Sequence, residues 1–226
     1  MKRSEINARI GEAIDFFATQ NFRLPPFAFW GPAEWETKGA EADEIRSCHL
    51  GWDLTDFGAG DFDHKGLLLF TVRNGNASDP ANGKGYAEKI MIVEEGQVTP
   101  WHFHTAKMED IINRGGGDLV IELANSSGPG ALDDTDVIVS TDGVQRVVPA
   151  RGTVVLRPGE SITMTRGLAH QFYGESGQGK VLVGEVSSVN DDETDNYFIE
   201  PAGRFPAIEE DEEPLHLLCM EYPAAN

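Results

Sequence analysis

Basic residues are scarce in this chain. Eighteen lysines and arginines stand against 38 aspartates and glutamates, a formal net charge of −20 over 226 residues. That balance argues against nucleic acid and against anionic membranes as partners, since both are met by basic patches. No Lys/Arg cluster or glycine-rich phosphate loop lies near the motifs described below, which argues against a phosphosugar substrate. No apolar run approaches the roughly 18 residues that a membrane-spanning helix needs. No basic n-region followed by an apolar h-region opens the chain. Cysteine is rarer still, with only Cys48 and Cys219. The expectation is a cytoplasmic protein with two reduced thiols rather than a disulfide-held one. No internal repeat or low-complexity segment is evident.

What is present is concentrated in one stretch, Gly96 to Gly116. His102 and His104 stand two apart, and Glu109 follows five residues later. On an extended strand, residues i and i+2 face the same side. Both imidazoles can therefore turn to one point, and a short turn after Thr105 can bring Glu109 back to it. A fourth candidate, His170, ends another strand-like segment far downstream. Neutral nitrogens with one anionic oxygen suit a borderline divalent metal. A bare His-X-His is as often a surface pair or two satisfied core residues; the glycines at fixed offsets weigh against that.

Those offsets resemble the first cupin motif: glycine, five residues, His-X-His, a short gap, glutamate, six residues, glycine. Gly96, His102, His104, Glu109 and Gly116 fit it without a gap. The second cupin motif is matched at Gly152, at Pro158-Gly159 and, after an insertion, at Gly167-Leu-Ala-His170, with Thr165 where proline is usual. The resemblance implies a mainly β, single-domain, cupin-type antiparallel barrel (a double-stranded β-helix or jelly roll). Its metal would be held inside by His102, His104, Glu109 and His170.

The rest of the chain agrees with many short strands and turns every eight or so residues. Gly66–Arg73, Tyr86–Glu94, Pro100–Thr105, Glu109–Asn113, Asp118–Ala124, Thr153–Leu156, Ser161–Thr165, His170–Tyr173 and Lys180–Val189 read as strands. Thr141-Asp-Gly-Val144 reads as a hairpin turn between Val137–Ser140 and Gln145–Val148. Trp52 to Lys65 reads as turns. Ser4 to Gln20 reads as an amphipathic helix, capped by Ser4, with Ile6, Ile10, Ala13, Ile14 and Phe17 on one stripe. Residues 1–35, this helix and an aromatic arm, are expected to pack on the barrel or on a dimer partner. Residues 36–226 form the barrel and a C-terminal extension. The acidic run Glu209–Glu213 reads as a solvated loop, and Pro214–Tyr222 as a last strand or packing arm.

A cupin metal site does not fix a reaction. Three neutral histidines and one carboxylate leave a divalent ion at net +1, and an octahedral ion keeps two positions for adjacent sugar oxygens. An aldose–ketose isomerase then needs a base to move a proton between C2 and C1. Glu185 is the candidate, because it interrupts the apolar strand Val181–Val186, where a charge needs a reason. On an alternating strand it could equally face outward. Lys107 is a candidate donor to a hydroxyl or developing oxyanion; the alternative is an ordinary turn lysine. Asp195 and Arg204 are candidates for binding sugar hydroxyls, though surface roles are the commoner ones. His49, His64 and His216 have no partner pattern.

Three segments resemble the D-lyxose ketol-isomerase family of bacterial sugar isomerases. They are Trp101-His-Phe-His-Thr-Ala-Lys-Met-Glu109, Arg166-Gly-Leu-Ala-His-Gln-Phe172, and Gly184 through Asn190-Asp-Asp to Asn196. The resemblance covers nearly the whole chain. It implies interconversion of D-lyxose with D-xylulose and often of D-mannose with D-fructose. It also implies a divalent metal, commonly Mn²⁺, with Fe²⁺, Co²⁺ and Zn²⁺ sharing these ligands, and a homodimer. An enediol path with Glu185 as proton shuttle and Lys107 as aid is the expected mechanism; a hydride shift is its alternative. Two other readings compete: a cupin metal-dependent dioxygenase, and a non-catalytic metal- or sugar-binding cupin.

Overall fold

Apolar alternation and turn chemistry set the strands. In the computed structural model, which describes residues 1–226 except 77, 80–82, 129, 193, 204, 205 and 226, they are β1 (Gly51–Thr55), β2 (Leu67–Arg73), β3 (Tyr86–Val93), β4 (Thr99–Phe103), β5 (Glu109–Gly116), β6 (Leu119–Gly128), β7 (Ala131–Leu132), β8 (Val137–Thr141), β9 (Val144–Val148), β10 (Gly152–Leu156), β11 (Ser161–Met164), β12 (Leu168–Gly174), β13 (Val181–Ser188) and β14 (Tyr197–Phe198). One sheet runs β1-β2-β3-β13-β5-β11-β8-β9; the other runs β10-β6-β12-β4-β14, with β7 added to β6. The pairings are antiparallel throughout, and the sheets curl into the cupin-type half-barrel expected. Asp142 and Gly143 take φ of +49° and +80°, the primed turn that joins β8 to β9. The motif glycines Gly96 and Gly116 also need positive φ, +65° and +85°.

The inner faces of both sheets meet in one core, where Ile121, Leu123, Val181, Val183, Ile111 and Ile162 are buried. A second core lies outside the large sheet. There the helix α1 (Arg3–Thr19) lays Ile6, Ile10, Ala13 and Phe17 against Trp52, Phe70, Ile90 and Leu182. The aromatic arm lies on its own chain. Phe27 packs against Phe70 at 5.2 Å between ring centroids, and Trp35 stacks on Tyr222 at 3.9 Å. No helix among the described residues is long and apolar enough to cross a membrane. Cys48 and Cys219 are buried and are not joined in a disulfide.

Three local expectations are corrected. Ser4 does not cap α1: the cap is Lys2, whose N–H donates to Glu5 at 3.0 Å. The Ser4 amide and hydroxyl instead donate to Asp211, at 2.9 and 2.7 Å. The acidic run is therefore exposed but not free. Asp211, Glu210 (on Arg3) and Glu212 (on Asn7) dock it across the first turn of α1, where the helix dipole favours negative charge. Gly51–Thr55, taken largely as the start of a turn region, is the fully buried strand β1. Of the two readings of Pro214–Tyr222, the structure shows the packing arm: Leu218 forms a single bridge to Trp52, and Tyr222 stacks on Trp35.

Candidate active site

His102 and His170 sit side by side because β4 and β12 are neighbours with these two residues in register. His104 lies just past the end of β4, and Glu109 opens β5 after the intervening turn. Each histidine directs Nδ1 at a backbone carbonyl: His102 at Pro100 (2.8 Å), His104 at Asp195 (2.7 Å) and His170 at Leu168 (3.2 Å). An imidazole that donates from Nδ1 keeps its Nε2 lone pair for a ligand. The four side chains bring one ligand atom each within 4.8 Å of all the others. His170 Nε2 is buried without a hydrogen bond and faces Glu109 Oε1 at 3.2 Å, and a metal ion bound by both atoms would satisfy them.

The protonation states suit the same task. Burial, and then the neighbouring His170 and His104, push His102 well below the ordinary histidine range. Burial, then the Lys107 ammonium, pushes His104 down to about 4. Burial alone would raise Glu109, but Lys107 and His104 outweigh it and hold the carboxyl well below its usual value. Three nitrogen donors and one carboxylate fit a borderline divalent ion.

Next to this cluster lies a chain of buried charges. Glu109 turns Oε1 toward the imidazoles, 3.2 Å from His170 Nε2, and Oε2 toward Lys107 Nζ at 2.8 Å. Lys107 also donates to Glu185 Oε1 at 2.9 Å and to Asn190 Oδ1 at 3.0 Å. Burial works against the Lys107 ammonium, yet Glu109 and Glu185 prevail and raise its pKa above the ordinary lysine value. Between these two carboxylates the ammonium form of Lys107 is favoured. Glu185 faces inward, 5% exposed, in alternation with Val183 and Val181, while Val186 points out. Ser187 donates to its Oε1 at 3.0 Å.

One participant escaped the sequence reading. Lys89 is the cross-strand partner of Glu185, 3% exposed, with Nζ 2.8 Å from Asn190 Oδ1 and 3.2 Å from Asp192. The signal was weak: Lys89 follows Glu88 at the edge of the apolar run Ile90–Val93 of β3, whereas Glu185 stands inside the run of β13. Asn190 and Asp192 enter because the polar segment after β13 folds back, and β14 then pairs with β4.

Asp195 turns its carboxylate to the 105–107 turn and is not among the residues that line the cavity described below. Oδ1 accepts the Thr105 N–H (2.8 Å), the Thr105 hydroxyl (2.9 Å) and the Ala106 N–H (2.8 Å), and Oδ2 accepts the Lys107 N–H (2.9 Å). It shapes the turn that carries Lys107 toward the cluster. Burial opposes its charge, but the backbone donors of Ala106, Lys107 and Thr105 lower its pKa. Asp195→Ala is expected to cost about 3 kcal/mol, since several bonds to a charged acceptor disappear and leave buried N–H groups. Urea unfolding tests this; a variant as stable as the parent contradicts it. Arg204 lies outside the described residues.

His102, His104, Glu109, Lys107, Glu185 and Lys89 border one cavity, and its remaining wall is mostly apolar, as in small-ligand sites. Residues 1–222 match the family model described as D-lyxose isomerase. The chain belongs to that family. A relative from Serratia proteamaculans, named D-lyxose/D-mannose isomerase, is 50% identical over 223 residues, 98% of each chain. One of the same name from Escherichia coli O157:H7 is 49% identical over 98% of each. Among solved structures, Cellulomonas parahominis L-ribose isomerase with L-psicose superposes with a TM-score of 0.61 at 18% identity, covering 92% of this chain and 98% of that one. That likeness speaks to the fold. As a member of its family, the chain is a sugar isomerase of the aldose–ketose type.

Proposed function

We propose that the protein is a metal-dependent isomerase that interconverts D-lyxose with D-xylulose and D-mannose with D-fructose. The observation that supports this most directly is the inward carboxylate of Glu185, held by Lys107 beside the His/Glu cluster. The names of the relatives at 50% and 49% identity support the two aldoses. D-Lyxose and D-mannose share configuration from C2 to C4 and differ in one terminal carbon, so one cavity can present the same reacting end.

A divalent ion bound by His102, His104, Glu109 and His170, with Mn²⁺ the first candidate, would supply Lewis-acid polarisation of the carbonyl. Glu185 removes the C2 proton of the aldose and returns it to C1. Lys107, in its ammonium form, donates to the oxygen that gains charge. Lys89, Asn190 and Ser187 hold Glu185 and Lys107 in one geometry, so little reorganisation is needed as the proton moves.

The test is a ketose assay on EDTA-stripped protein. Mn²⁺, Fe²⁺ or Zn²⁺ is added back with D-lyxose, D-mannose or D-xylose, with and without O₂. Mn²⁺-restored ketose from D-lyxose and D-mannose under nitrogen is expected. No ketose from any sugar, with metal bound, would overturn the proposal and favour an oxygenase or a non-catalytic binder.

A further inference from the structure

Three uncharged polar residues line the cavity without a part in the proposed chemistry: Thr55, Thr99 and Asn196, whose amide already donates to Asp192. Thr99 opens β4, borders the cavity and is 3% exposed, yet its hydroxyl has no hydrogen-bond partner. A buried hydroxyl left unpaired is costly, and such orphans call for an explanation. Among the described residues, Thr141 also has an orphaned buried hydroxyl, but Thr141 does not border the cavity.

The position of Thr99 gives the explanation. On β4 and β12, His102 pairs with His170, and Thr99 pairs with Phe172. Two residues of β12 separate these levels, about 7 Å along the barrel. The bridge from Lys65 to Val98 and the pairing of Thr55 with Leu67 bring β1 and β2 to the same level. The cavity is therefore charged at the level of Lys107 and Glu185. At the Thr99 level it is lined by Leu67 and Phe172. Thr55 is there too, but its hydroxyl oxygen already accepts the Phe57 N–H at 2.9 Å.

We infer that Thr99 is a specificity-determining residue that receives the terminal hydroxyl of the open-chain sugar. The inference rests on the function proposed above, in which C1 and C2 lie beside Glu185 and Lys107. An aldose held at that end extends its other end along the cavity toward Thr99. Its terminal hydroxyl, once out of water, needs a partner among apolar walls, and Thr99 offers both a donor and an acceptor.

The experiment compares D-mannose with 6-deoxy-D-mannose in the wild-type holoenzyme, Thr99→Val and Thr99→Ser. Specificity constants are measured, or the inhibition constant for a sugar that is bound but not turned over. Thr99→Val is expected to weaken D-mannose by about tenfold, mainly through KM, with little change for the deoxy sugar. Their ratio then collapses, while Thr99→Ser preserves it. Equal loss on both sugars would mark Thr99 as merely structural, and no loss on either would show that no bond forms; both overturn the inference. A wild type that forms no ketose from D-mannose or D-lyxose overturns the proposed function itself. An active wild type whose sugar ratio is unmoved in Thr99→Val overturns only the role of Thr99.

Discussion

Replacing Glu185 with Gln is expected to lower kcat by about 10²–10⁴-fold, the usual worth of a positioned general base. The amide is nearly isosteric and can still receive the Lys107 and Ser187 hydrogen bonds through its oxygen. It cannot take a proton from carbon. Metal content should stay at the wild-type level, because Glu185 is not among the four clustered ligand atoms. KM should change little if the lost interaction is made only in the transition state. Turnover in D₂O adds a second readout. With proton transfer through Glu185, wild-type product carries solvent deuterium at the exchanged carbon. A Gln variant that retains wild-type kcat would assign the base elsewhere; deuterium-free wild-type product would favour a hydride shift.

The second large effect is expected at Glu109. It is the only anionic member of the cluster and also the partner of the buried Lys107 ammonium. Glu109→Gln removes one charge from each interaction. Metal affinity should fall by more than the roughly 10–100-fold typical of changes to groups that merely support ligands. The metal-free variant should also lose about 3 kcal/mol, because breaking a buried ion pair leaves a charge less compensated. The loss sits at the low end of that effect, since Glu185 and Asn190 still hold Lys107. Metal per chain after dialysis against a weak chelator, and thermal unfolding of the stripped protein, report the two effects separately. A variant that keeps one ion per chain at wild-type affinity would remove Glu109 from the ligand set.

Together these substitutions separate two roles that one buried network joins. Lys107 bridges Glu109 and Glu185, so a change at either carboxylate is felt at the other through a shared ammonium. Their effects should therefore not be additive when combined, as for other residues that act as a unit.

Local pattern alone placed much of this molecule. The spacing of His102, His104 and Glu109 is a property of strand geometry, since alternate residues share a face whatever surrounds them. Asp142-Gly143 specifies its own turn through positive φ. The stripe on α1 is a property of helical period. Glu185 was identifiable because a carboxylate inside an apolar run needs a reason; Lys89, beside Glu88 at the edge of such a run, carried no comparable signal.

Only the tertiary structure decided the rest. Gly51–Thr55 is a strand because β2 offers it an edge and the packing on both sides buries it; its glycine and aspartate otherwise read as a turn. Asp195 became the clamp of the 105–107 turn, and Asp211 a neighbour of Ser4, through contacts 88–90 and 207 residues apart in sequence. Whether Glu185 faced in or out depended on the register of β13 between β3 and β5, because a shift of one residue reverses every side chain. Thr99 carried no signal at all in the sequence, since an unpaired hydroxyl is defined by what fails to surround it. The sequence by itself determined the His/Glu cluster and the fold class, which are local in period and spacing. Which charges meet, and which buried hydroxyl is left without a partner, depended on long-range pairing between strands.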